Sequence, residues 1–370
     1  MTAAAPSGAD TSPRRRTALT NVRVFDGHEL RAPGTVVIDG DRIGTDPSGA
    51  REIDGGGATL LPGLIDAHVH LSSADNLRQL CEHGVTTALD MATWPTELVD
   101  SLRKVPGLTD IRSAGTLAIS AGGFHATMDG IPKDSIVTGP ADAERFIAAR
   151  VAEGSDYIKI VAEDPGAGGL DQATLNALAA AAHTRGKLVI AHAIASGAYT
   201  MAQEAGADVI THVPLDRALD DEAVNRMAAD DRIAVPTLSM MEAMSQGMDG
   251  ARLDYGQARA GVAALHRAGV PILAGTDADS TLALVPHGTS LHHELELLVD
   301  AGLTTVDALR AATSLPARHF GLTDRGAVAP GLRADLVLVD GDPIADIRAT
   351  RQIRRIWCGG TEHTPAGNYY

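Results

Sequence analysis

Through the middle of the chain, apolar runs of six to nine residues alternate with longer stretches whose apolar positions recur every three or four residues. The first pattern predicts buried strands and the second predicts amphipathic helices. Eight strand-like runs can be read: LIDAHVH (64–70), VTTALDM (85–91), IRSAGTLAI (111–119), DYIKIVA (156–162), KLVIAHA (187–193), DVITHV (208–213), RIAVPTLS (232–239) and VPILAGTD (270–277). Between them lie helical stretches such as ADAERFIAARVAEG, DQATLNALAAAAHTRG and YGQARAGVAALHRAG. Gly84, Gly154, Gly186, Gly206 and Gly269 each come shortly before a new strand, where a helix-stopping residue is expected. Strict strand–helix alternation predicts a parallel sheet, and eight repeats predict a closed (β/α)8 TIM barrel of class α/β. A doubly wound open sheet is the structural alternative. No GxGxxG or Walker loop follows any strand, so nothing supports a nucleotide site.

The two ends read differently. Ala18 to Phe25 and Thr35 to Ile38 are β-rich and bounded by Asp-Gly turns, and Ala334 to Asp340 and Gln352 to Cys358 repeat the pattern. Neither end could bury a core alone, so the expectation is one composite β-sandwich from residues 17–60 and 325–370, beside a barrel of residues 61–324. Residues 1–16, rich in Ala, Ser, Pro and Gly, are expected to be disordered.

Composition narrows the classes. The 370 residues suit one barrel with a modest accessory unit. Aromatics make up only 3%, so the core must rest on Ala, Val, Leu and Ile. A net charge of −16 argues against nucleic acid and anionic membrane as partners. No apolar run is long enough to span a bilayer, and no export signal follows Arg14, Arg15 and Arg16. Cys81 and Cys358 lie far apart, with no disulfide framework or Cys-rich zinc site, which fits a cytoplasmic location.

The polar residues inside the apolar runs carry the chemistry. His68 and His70 end the first strand, Lys159 lies in the fourth, and His192, His212 and Asp277 end the fifth, sixth and eighth. In a parallel barrel all of these ends meet at one face, where active sites are built. Alternation puts His68 and His70 on one side of their strand with Val69 on the other. Two imidazoles so placed can grip one divalent ion, and burying the whole set without a metal would be costly. A lysine inside an apolar strand readily loses its proton. The neutral amine can then take up carbon dioxide, giving a carbamate able to bridge two metals.

LLPGLIDAHVHL, AGTDAD and the tail SLHHELELLVDAGLT…GAVAPGLRADLVLVDGDP resemble the amidohydrolase superfamily, in its imidazolonepropionase-like and Xaa-Pro-dipeptidase-like branch, over roughly residues 18–358. The resemblance implies a (β/α)8 barrel with a sandwich from both termini, and two divalent metals, usually zinc. It implies that His68, His70 and Asp277 hold one ion, that His192 and His212 hold the other, and that N6-carboxylysine at Lys159 bridges them. The expected reaction is hydrolysis of an amide, lactam, carbamate or urea-like C–N bond of a small molecule by a metal-bridging hydroxide. Asp277 is the expected general base and His125, in AGGFHATM, the expected oxyanion donor. His287 and Arg217 are further candidates for substrate contact.

Several alternatives stay open at this level. Ester, lactone or phosphotriester hydrolysis would use the same site, a mononuclear deaminase would use half of it, and a non-catalytic scaffold would have lost the ligands that are present here. Dipeptidase-like relatives place a Tyr two residues after the fifth-strand His and an Arg six further on. Ile194 and Thr200 stand there, which turns the expectation away from a substrate α-carboxylate. LSMMEAMSQGMDG, after the seventh strand, reads either as an apolar lid or as a helix packed on the barrel. A homo-oligomer is expected from the resemblance alone.

Overall fold

The computed structural model describes residues 16–103, 105–247, 253–280 and 284–367. Of the segment 1–16 only Arg16 falls among them, paired with Asp39 and Asp46. Five strands come first: β1 (Thr17–Val24), β2 (Gly34–Asp39), β3 (Arg42–Gly44), β4 (Arg51–Asp54) and β5 (Thr59–Pro62). Seven short strands follow: β6 (Leu64–Val69), β7 (Val85–Asp90), β8 (Asp110–Ser113), β9 (Ile158–Val161), β10 (Val189–His192), β11 (Val209–Thr211) and β12 (Ile233–Val235). β13 (Leu336–Val339), β14 (Ile353–Cys358) and β15 (Thr361–His363) close the chain.

The two termini do share a sheet. Its order is β15-β14-β13-β5-β1-β2-β3, with β4 beside β1. The joint is β5, antiparallel to β13 and parallel to β1, and it was hidden in sequence because TLLP runs straight into the GLIDAHVH motif. Leu19, Val22, Val36, Ile38, Leu60, Leu336, Leu338 and Trp357 fill this sandwich.

The barrel is parallel throughout its regular strands. β6, β7 and β8 form one ladder and β9 to β12 another. Single bridges close the ring: Ala118 to Ile160 of β9, Ile272 to Ala234 of β12, and Ala278 to Val69 of β6. One apolar cluster, including Ile65, Leu89, Ala114, Tyr157, Ile190, Val209, Ile233 and Leu273, draws a residue from each of the eight segments and packs the interior.

Two expected strands are therefore weaker than their patterns suggest. The run 111–119 is regular only to Ser113, and the run 270–277 contributes bridges without a regular ladder. The runs 208–213, 232–239 and 270–277 leave extended geometry near their C-terminal ends, where His212, Thr237 and Asp277 adopt left-handed φ values of 73°, 48° and 60°. The five glycines expected to stop helices all have positive φ. The Met-rich stretch resolves as a helix, Leu238–Gly247, packed against helices Tyr255–Arg267 and Thr289–Asp300, with Met240 and Met241 buried. Packing rather than lid formation accounts for these residues, while Met248 lies outside the described ones. Glu294 caps this helix, accepting from the Leu238 and Ser239 N–H groups and the Ser239 hydroxyl.

His292 ties three parts of the molecule. Buried in helix Thr289–Asp300, it bonds the His83 carbonyl at 3.0 Å and the Thr350 hydroxyl at 3.0 Å. Burial pushes its pKa down to about 3. A depressed folded-state value means that its contribution to stability is present above the ordinary value of 6.5 and is lost as pH falls toward 3. Between pH 7 and 4.5 the wild type should lose about 2–3 kcal/mol through this residue. His292→Leu should be less stable at pH 7 but have a flatter profile, read as urea midpoints at the two pH values.

Candidate metal centre

The barrel mouth gathers an arc of imidazoles. Ring centroids of His70 and His68 lie 5.3 Å apart, His68 and His212 5.0 Å, His212 and His192 4.4 Å, and His192 and His125 4.6 Å. Asp277 sits against the first part of the arc. Its Oδ1 is 3.1 Å from Nε2 of both His68 and His70, and its Oδ2 is 3.9 Å from His212 Nδ1. His68, His70 and Asp277 each offer a donor atom, all within 4.8 Å of one another, so the three could hold a metal ion.

Approach of the eighth segment to β6 makes this possible. The Asp277 N–H donates to the His68 carbonyl at 2.8 Å. Beside it, the fully buried Asp66 carboxylate accepts from the Thr276 N–H, the Thr276 hydroxyl and the His68 N–H at 3.0, 2.7 and 3.1 Å. Gly275 permits the contact, since a Cβ there would stand 2.5 Å from Val235 Cγ1 and 2.9 Å from His68 Cβ. His212 and Asp277 hold left-handed backbone at about 1–3 kcal/mol each, a strain typical of functional positions.

The protonation pattern suits a cation. Burial, and then Lys159, push His68 down to about 3. Burial and neighbouring imidazoles hold His192 and His212 well below their ordinary value. Burial opposes charge on Asp277, but His68, His70 and His212 outweigh it and hold the carboxyl well below the usual range. His70 is pushed up to about 9, because Asp277, with Asp90 and Asp279, outweighs its burial. Burial raises Asp66 to about 7 against its three hydrogen bonds. Neither ring nitrogen of buried His68 has a hydrogen-bond partner among the described residues, although Asp277 is 3.1 Å away. The two groups point past each other, as ligands converging on a common point do. Isolated polar nitrogens at this depth would otherwise cost about 1–3 kcal/mol each.

Orienting partners fix the rings. The Ala92 carbonyl can only accept, so the 3.2 Å contact with His70 Nδ1 puts a proton there and turns Nε2 toward Asp277. His212 Nδ1 meets the Thr237 hydroxyl at 2.7 Å. Lys159 is buried in β9, and its Nζ donates to Thr211 Oγ1 at 3.0 Å. Burial brings its pKa down to about 7.

The sequence pattern of the amidohydrolase family matches residues 59–363. The chain belongs to the amidohydrolase family. An uncharacterized protein of Mycobacterium tuberculosis is 29% identical over 365 residues, covering 90% of this chain and 92% of that protein. An adenine deaminase of Methylobacterium nodulans is 30% identical over 327 residues, covering 84% of this chain and 51% of that protein. Among solved structures, a Xaa-Pro dipeptidase with bound methionine superposes with a TM-score of 0.80 at 24% identity, covering 94% of this chain and 99% of the other. Phenylurea hydrolase B superposes with a TM-score of 0.78 at 22% identity, over 94% and 96%. These superpositions establish the amidohydrolase barrel with its terminal sandwich. No helix among the described residues is long and apolar enough to cross a membrane.

The remaining candidates separate. His125 lies in the 3-10 turn Phe124–Thr127 at the end of the arc. His287 is buried with both nitrogens engaged: Nε2 meets the His70 carbonyl at 2.9 Å and Nδ1 faces Asn76 Nδ2 at 3.5 Å. From the loop after the eighth strand it thus braces the backbone of His70. Arg217 is exposed after β11, and none of the ion pairs found among the described residues includes it.

Glu163 is the residue the sequence reading missed. It follows β9 and latches the loop that carries His125, accepting from the Phe124 N–H at 3.2 Å and facing His125 Nδ1 at 3.3 Å. Gly168 (φ 87°) and Gly122 bring the two loops into backbone contact, and a Cβ on Gly168 would lie 2.2 Å from Gly122 O. The clue in sequence was an acidic pair, Glu163-Asp164, just beyond an apolar strand end. Glu163→Ala should free this loop without disturbing the ligands. Amide exchange in residues 120–128 should rise at least about tenfold, in line with one lost charge-assisted contact of about 1.5–3 kcal/mol, while metal content stays unchanged.

Proposed function

We propose that this chain is a metal-dependent hydrolase that cleaves a C–N bond of a small molecule at the barrel mouth. The observation that carries the reading is the meeting of His68, His70 and Asp277 around a point that leaves both His68 nitrogens without a hydrogen-bond partner among the described residues. Those three residues would hold a first divalent ion, in the first place zinc. His192 and His212 would hold a second, and Lys159 as N6-carboxylysine would lie between. Bound metals of this kind acidify water to near-neutral pKa and polarise a carbonyl.

The chain's own groups would do the rest. Asp277, kept ionised by the surrounding imidazoles, would accept the proton of the attacking water and return it to the leaving nitrogen. His125, fixed by Glu163, would donate a hydrogen bond to the oxygen that gains charge. Ile194 and Thr200 put no cation beside His192, which favours neutral amides, lactams, carbamates or ureas over substrates with a free α-carboxylate. Similarity to phenylurea hydrolase B and to a dipeptidase supports a C–N bond as the target.

A second reading, a one-metal deaminase, draws on a specific observation. Only one three-ligand group gathers at the mouth among the described residues, and an adenine deaminase is among the relatives. Elemental analysis of protein purified without chelator separates the two. The proposed reading expects two ions per chain, falling to one or none in Lys159→Ala, with hydrolysis of amides, carbamates or ureas ahead of matched esters. One ion, unchanged in Lys159→Ala, with ammonia released from aminopurines, would establish the deaminase instead. In either case Asp277→Asn should lower kcat by about 10²–10⁴-fold.

A further inference from the structure

Away from the mouth, the two cysteines of the chain come together. Cys81 lies in the last turn of helix Ala74–Glu82, and Cys358 is the last residue of β14. They are 277 positions apart in sequence, yet their sulfurs are in contact at 2.7 Å. Both are fully buried, in a small cluster with Ile356 against Leu108 and Ile353. Sequence separation had suggested two unrelated thiols. The fold pairs them because β14 of the sandwich packs on the first barrel helix.

We propose that Cys81 and Cys358 form an oxidisable pair that closes to a disulfide and staples the end of the chain to the barrel. The contact suits a bond between the sulfurs better than a shared ion. Two thiolates on one zinc would stand roughly 3.8 Å apart, given Zn–S near 2.3 Å and tetrahedral angles. His363, the third potential ligand nearby, instead directs Nε2 to the Gly107 carbonyl at 2.5 Å. Each thiol thus faces the other, with Ile356, Leu108 and Ile353 packed around them.

The oxidant is a peroxide. Each thiol gives up its proton and one electron as the S–S bond forms. The two electrons cleave the O–O bond of hydrogen peroxide, and the two protons complete two waters. Burial pushes the Cys358 thiol well up, so few thiolates form and the reaction is slow in the closed fold. Entry requires fraying near the C-terminus, where the Ala366 N–H bonds the Glu82 carbonyl at the end of the same helix. The loop so closed spans most of the chain, which is where a cross-link restricts the unfolded state most.

The test uses the full chain, treated with hydrogen peroxide or with dithiothreitol, and two variants, Cys81→Ser and Cys358→Ser. In the peroxide-treated wild type, thiol titration in denaturant should find neither cysteine, and a non-reducing peptide map should join the Cys81 and Cys358 peptides. Its Tm should exceed that of the reduced protein by several degrees, a gain that dithiothreitol removes and that neither variant shows. Two thiols still titratable after peroxide would overturn the proposal. So would one zinc per chain that is lost from both Ser variants but kept in Lys159→Ala, which would make the pair a metal site. Metal at the mouth enters neither criterion, so the outcome stands apart from the proposed catalytic reading.

Discussion

The mouth of the barrel depends on one seam, the hydrogen bonding of the eighth segment to β6. Asp66 is its fastener. Buried beneath the site, its carboxylate takes both donors of Thr276 and the N–H of His68. His68 and Asp277 are thereby set 3.1 Å apart although the chain separates them by most of the barrel. A regular ladder would not achieve this, since Asp277 must leave extended geometry to face inward, and its φ of 60° is the result. Thr276 and Gly275 are the residues that let it do so. One offers a side chain that bonds downward, and the other leaves the space that His68 fills.

Stability is supplied at the opposite end. Arg325, almost fully buried, bonds Thr87 Oγ1 at 2.9 Å and Asp110 Oδ2 at 2.7 Å, which joins the approach to β13 to the starts of β7 and β8. Asp110 also lies 3.4 Å from Arg333 and 3.1 Å from Arg112, and these three guanidinium groups hold its carboxyl below the ordinary value despite burial. Charges at this face are paired. At the mouth, by contrast, imidazoles are desolvated beside one another, and His212 and Asp277 hold left-handed backbone. The division follows barrel logic, with charges paired below and imidazoles desolvated above.

That division also explains what could be read from the sequence. Apolar runs and helix-stop glycines gave away the eight repeats because interior packing imposes them at every strand. The polar positions that gather at the mouth were legible because each interrupts such a run. His125's latch was not, because Glu163 acts across two loops and its meaning depends on a glycine contact between them. The bonding of His287 to the His70 carbonyl was equally hidden, since a loop histidine near a site has the same appearance whether it meets a ligand or a backbone. β5 was missed for another reason. Its four residues are buried throughout, and β6 begins directly after Pro62-Gly63 with another buried run, so no alternation marked where the sandwich gives way to the barrel.

Charge balance bears on how many ions the proposed site would take. Asp277 is the carboxylate that faces His68, His70 and His212. Asp66 is engaged by Thr276, and Asp90 is spent on Thr93, Ser113 and the Leu71 N–H. One dication beside Asp277 leaves a modest net charge. A second would add two positive charges in a low-dielectric space that already contains Lys159. An ammonium there would make matters worse, whereas a carbamate changes the charge at that point from +1 to −1. Lysine carboxylation and binding of a second ion are therefore coupled on this reading, each unfavourable without the other. The coupling would be set by β9 and β11 together, since the hydroxyl of Thr211 is what holds Nζ in place before either event occurs.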